Sequence, residues 1–127
     1  ENLQNPRVKL VRGDLLRPIR PVPVFDMVVA NLPYVPADEW AGLEPEVRDH
    51  DPRGALVAAD GGLALIRRLV VEAAPRLSHG AFILLEAGPD QTTRIAAEMR
   101  GYTDVNVVED HLGRARIVEA RKPLRSD

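Results

Sequence analysis

The sequence contains no cysteine, which excludes disulfides, thiol nucleophiles and thiolate metal sites together and suits a reducing, intracellular setting. Aromatic residues make up only 4% of the chain, so the aromatic-rich basic stripe of a nucleic-acid binder is missing. A surplus of positive charge is missing as well. Lys plus Arg total 17 against 19 Asp plus Glu, for a formal charge of −2, and no bulk field draws the chain to phosphates. Apolar runs such as Phe82 to Leu85 fall far short of the ~20 residues a membrane helix needs. Glu1-Asn2-Leu3-Gln4 lacks the basic start and apolar stretch of a signal peptide. A glycine-rich nucleotide loop of G-x-G type is also absent. The expectation is a cytoplasmic protein with no membrane partner and no metal.

What is present fits one domain. The 127 residues are 45% hydrophobic, enough for a single core; residues 1–121 read as the folded part and 122–127 as a polar tail. Val8 to Val11 predict a strand halted by Arg12-Gly13-Asp14, where glycine permits a positive φ. Pro18, Pro21 and Pro23 then make a surface loop. Phe25 to Ala30 is nearly continuous in apolar character, the pattern of a strand buried on both faces. From Pro33 to Gly62 the chain reads as a long loop, and loops of that length are commonly functional. Leu63, Ile66, Leu69, Val70, Ala73, Ala74 and Leu77 recur at helical spacing up to a stop at Ser78-His79-Gly80. Ala81 to Glu86 predict a strand, and Asp90 is the expected cap of a helix from Gln91 to Arg100, closed by Gly101. Asp104 to Glu109 and Arg116 to Ala120, joined by His111-Leu112-Gly113-Arg114, predict an antiparallel hairpin. The fold class is α/β, a mostly parallel sheet with a terminal antiparallel hairpin.

Sheets of this kind bind ligands at the C-terminal ends of their strands, which draws attention to Gly13-Asp14 and to Asn31-Leu32-Pro33-Tyr34. Asn31 offers one carbonyl acceptor and one amino donor. Pro33 holds the backbone extended, and Tyr34 supplies an aromatic face for a planar amide or base. The plainer reading is a turn, stiffened by Pro33 and packed by Tyr34. Asp14 likewise either accepts from an adenine amino group or caps a turn. Arg48, Asp49, His50, Asp51 and Arg53 read as a solvated cluster with internal ion pairs, and His79 and His111 as structural or exposed.

The chain resembles the HemK/PrmC family of methyltransferases that modify the glutamine of the Gly-Gly-Gln motif in peptide chain release factors. The resemblance is carried by Val11-Arg12-Gly13-Asp14-Leu15-Leu16, by Phe25 to Pro36, by Leu43-Glu44-Pro45-Glu46-Val47-Arg48-Asp49-His50-Asp51-Pro52, and by Ala55-Leu56, Asp60-Gly61-Gly62-Leu63 and Ile66-Arg67. It implies the C-terminal portion of a Rossmann-like, S-adenosyl-L-methionine-dependent catalytic domain, with Asp14 and Leu15 at the adenine. Asn31 would touch both cofactor and substrate. Asn31, Leu32, Pro33 and Tyr34 would bind the substrate, and Asn31, Pro33 and Tyr34 would carry catalysis by fixing the amide nitrogen in line with the sulfonium methyl. The implied partner is a release factor, with nucleic acid met only indirectly through the ribosome. The alternatives are amino methylation of adenine or cytosine in nucleic acid, and a non-catalytic methyltransferase fragment.

Two departures stand out. Leu32 occupies the place where the family usually has a first proline, a form familiar from ribosomal RNA adenine dimethyltransferases. The residues that correspond to the family's N-terminal helical domain, glycine-rich cofactor loop and ribose-binding acid do not occur in this sequence. A fragment of a longer protein, or a sheet completed by another chain, is therefore expected. The strand ending at Arg12 and the strand ending at Ala30 would then not be neighbours.

Overall fold

The computed structural model describes residues 6–32 and 63–126. Four strands and two helices are found among them: β1 Phe25–Ala30, α1 Ala64–Ala73, β2 Leu77–Glu86, α2 Thr92–Ala97, β3 Thr103–Glu109 and β4 Ala115–Arg121. They form an α/β fold around one sheet in the order β1-β2-β4-β3. The β1–β2 pair is parallel, and β2–β4 and β3–β4 are antiparallel. The terminal hairpin therefore folds back so that β4, not β3, bonds to β2.

One face of the sheet carries the core. Alternation along β2 turns Ala81, Ile83 and Leu85 inward, and Val118 and Ala120 of β4 join them. Against these lie Leu63, Ile66, Leu69, Val70 and Ala73 of the α1 region, with Ile95 and Met99 around α2. The three- and four-residue spacing in α1 gives one buried stripe, which is why an element with no capping side chain holds its place.

Several expectations are corrected. Val8 to Val11 are exposed and join no strand. A strand exists only through its ladder partner, and β1 pairs with β2 alone among the described residues. Nor is β1 buried on both faces: Met27 is 52% and Val29 70% exposed, because α1 and α2 cover the opposite side. The first helix stops at Ala73 and passes into a 3₁₀ turn, Ala74–Arg76. Pro75 lacks the N–H needed to continue the α pattern. Ser78, His79 and Gly80 consequently belong to β2, where the pairing skips from Phe25↔Leu77 to Met27↔Phe82. Gly80, at φ +83°, supplies the conformation such a bulge requires. α2 is shorter than predicted and begins after Gln91 rather than from an Asp90 cap. Lys122, the first residue of the expected polar tail, bonds its N–H to the Ala81 carbonyl at 2.8 Å.

Candidate functional site

The last paired rung of the parallel ladder is Ala30↔Leu85, and both residues face the core side. Alternation then carries the next residues, Asn31 and Glu86, to the open face, and both are exposed. Neither side chain has a hydrogen-bond partner among the described residues. Leu32 turns back inward and packs against the core cluster. This gives the leucine a physical role: its side chain anchors the segment leaving β1 where a proline would offer less apolar surface. Pro33 and Tyr34 lie outside the described residues, as do the long loop and the Arg48–Arg53 cluster. Glu86, read in sequence only as the end of a strand, now stands one strand away from Asn31. An acidic residue closing an apolar strand at the ligand-binding edge was the signal for it.

Asp14 and Leu15 sit in a different setting. The Asp14 Oδ2 atom receives Arg68 Nη2 at 2.9 Å and Arg17 Nη1 at 3.3 Å, tying the turn after residue 12 to α1. Hydrogen bonding to Asp14, with Glu72 adding to it, raises the already high pKa of Arg68. The positive φ expected at Gly13 falls on Leu15 instead, at 51°. Gly13 is required for another reason: a Cβ there would lie 1.9 Å from Pro18 Cγ. An acceptor oxygen beside an apolar side chain fits a purine amino group in its chemistry, and a carboxylate has about four lone-pair positions for donors. Among the described residues no hydrogen bond joins this turn to the side chain of Asn31.

Two cavities, of about 570 and 480 Å³, lie on the outer side of α1 rather than at the strand ends. Arg67 and Val71 border both. Arg67 spans from α1 to Glu98 at 2.7 Å, and this hydrogen bond holds the Glu98 carboxyl below its usual range. Tyr102 donates to the Val70 carbonyl at 2.7 Å, and burial pushes its phenol up to about 12. His79 and His111, expected to be structural or exposed, are both exposed; His79 Nδ1 lies 3.0 Å from the Pro123 carbonyl. Among the described residues no helix is long and apolar enough to cross a membrane.

The fold and the polar pair at the ends of its parallel strands define a class, the α/β domains that present a ligand-binding edge at the C-terminal ends of their strands. No family model matches the sequence. Curated relatives do. The release factor glutamine methyltransferase of Deinococcus radiodurans is 43% identical over 117 residues, covering 91% of this chain and 41% of that protein. That of Streptomyces coelicolor is 37% identical over 127 residues, covering 97% and 45%. That of Rhodopirellula baltica is 32% identical over 126 residues, covering 96% and 43%. A solved structure of a release-factor-specific protein-(glutamine-N5) methyltransferase from Alicyclobacillus acidocaldarius is similar at 23% identity, with a TM-score of 0.49 over 78% of this chain and 49% of that one. Along nearly its whole length the chain is similar to release factor glutamine methyltransferases. It spans between two fifths and one half of the length of these curated relatives.

Proposed function

We propose that this chain carries part of the active site of a methyltransferase that modifies the side-chain amide nitrogen of a glutamine in a peptide chain release factor, in the cytoplasm where translation takes place. The observation that carries the reading is the relation to release factor glutamine methyltransferases along nearly the whole chain. The place of Asn31 supports it, at a strand end with its amide unspent. S-adenosyl-L-methionine, when bound, would supply the methyl group, with Asp14 and Leu15 toward its adenine.

The chain's own residues have a defined task. An amide nitrogen is a poor nucleophile because its lone pair is delocalised, so the rate depends on fixing it in position. The Asn31 side-chain oxygen and the Pro33 carbonyl would each accept one N–H of the substrate amide, and Tyr34 would hold its plane. Fixed acceptors also favour the positive charge that develops on that nitrogen.

The test is methyl transfer to a release factor by the full-length polypeptide, read by mass spectrometry of the glutamine-containing peptide. Asn31→Ala is expected to lower turnover by about 100-fold or more, the scale of losing one aimed polar group at a reacting centre. The melting temperature should stay put, since an exposed side chain without partners contributes little to stability. Unchanged turnover would count against the assignment.

A further inference from the structure

We infer that Glu86 selects the substrate, reading a glutamine amide and rejecting a glutamate carboxylate at the same position. The inference rests on the glutamine reading above and adds a residue to it.

The argument begins from the ladder. Ala30 and Leu85 are the last paired residues of the parallel ladder, so Asn31 and Glu86 each follow that rung directly at the neighbouring strand ends. Leu85 is buried and Glu86 exposed, and Ala30 is half-buried while Asn31 is exposed. Both polar side chains therefore project from the same face. On its other side Glu86 pairs with Ile117 of β4, so the carboxylate stands between an amide and an aliphatic group.

Glu86 combines an unpaired carboxylate with a place at the end of the parallel ladder, one residue after the rung that Asn31 also follows. Several acids near α1 and the hairpin are engaged, Asp14 with Arg17 and Arg68, Glu72 with Arg68, Glu98 with Arg67, and Asp110 with Arg114 and Arg116, whereas Asp104, Glu109 and Glu119 have no side-chain partner among the described residues. Glu86 has no ion pair and no hydrogen bond among the described residues. A carboxylate kept unpaired at the ligand-binding edge, next to an unpaired amide, is an acceptor set looking for a donor.

A primary carboxamide supplies the complement. Its nitrogen carries two N–H donors, and an ionised carboxylate accepts only. One of those hydrogens goes to the Asn31 oxygen, and Glu86 can share the second with the Pro33 carbonyl of the proposed site in a three-centre hydrogen bond, which also fixes the amide plane. A glutamate side chain in the same pose has no donor to offer and brings a second negative charge against the first. A polar site left unmatched in this way discriminates far more strongly than an apolar one does.

The experiment compares two synthetic peptides that differ only in glutamine against glutamate, with binding to the full-length polypeptide measured by isothermal titration. The wild type is expected to favour the glutamine peptide by about 100-fold or more. Glu86→Gln removes the charge and keeps the shape, so the preference should fall by about tenfold or more, chiefly because the glutamate peptide binds better. Glu86→Ala should weaken the glutamine peptide itself. Glu86 is exposed, so both variants should melt like the wild type. If the wild type favours glutamine and both variants keep the same ratio, Glu86 has no such role while the glutamine reading stands. If the wild type binds neither peptide, the glutamine reading fails and takes the role of Glu86 with it.

Discussion

Asp110 holds the tip of the β3–β4 hairpin with one carboxylate. Oδ1 accepts the backbone N–H of Leu112 at 2.8 Å and of Arg114 at 3.0 Å, while Oδ2 meets Arg114 Nε at 3.1 Å and Arg116 Nε at 3.3 Å. The backbone N–H of Arg114 is the largest cause that brings its pKa to about 2 from the ordinary 3.8. Because the folded value lies below the unfolded one, the contribution to stability is complete above about pH 4 and is lost as pH falls through about 2. Asp110→Asn is therefore expected to flatten the decline in stability between pH 4 and pH 2, measured as urea midpoints across that window. An identical slope in variant and wild type would contradict it. Residues of this kind are only partly legible in sequence. His111 to Arg114 announced a turn, but the acid that ties it precedes that stretch and looked like any other charge. Gly13 shows the same limit. The glycine was recognisable, whereas its reason, the ring of Pro18 across the turn, depends on how the proline loop folds back.

At the scale of elements, α1 was legible because its apolar positions repeat at the helical period, and the structure buries Leu65, Ile66, Leu69, Val70 and Ala73. Its C-terminal end was read too late. Leu77 continues the periodic pattern, but Pro75 breaks the hydrogen-bond series before it, and Leu77 is buried as the first residue of β2. Leu69 is 3% exposed at the centre of the helix–sheet contact. Leu69→Ala should cost about 2–5 kcal/mol, the range for deleting a buried leucine side chain. Chemical denaturation would show it as a lower midpoint, and a loss below 1 kcal/mol would mean that the helix packs more loosely than described. β1 erred in the other direction. Its apolar run resembled a strand covered on both sides, but hydrophobic composition does not say which face receives a helix.

Among the described residues the sheet has one face covered by helices and one that is not. Met27 and Val29 of β1 pair with Phe82 and Leu84 of β2 on the open side, and Arg121 stacks its guanidinium 5.2 Å from the centre of the Phe82 ring. An apolar face of this kind, ending in a strand edge with no partner among the described residues, favours association. The 127-residue chain by itself is expected to self-associate as concentration rises, and Val29→Lys to reduce this, both measurable by sedimentation velocity. A monomer at every concentration would contradict the expectation. The sequence by itself determined the helix and strand types of Phe25–Ala30, α1 and the hairpin, and it marked Asn31, because periodicity, turn residues and local motifs are written within a few neighbouring positions. Tertiary structure alone decided that β4 lies between β2 and β3, that Val8 to Val11 stay outside the sheet, and that Glu86 and Asn31 follow the same rung of the parallel ladder. Those outcomes depend on ladder register between segments well separated in the sequence, and no local pattern in the chain encodes a pairing of that kind.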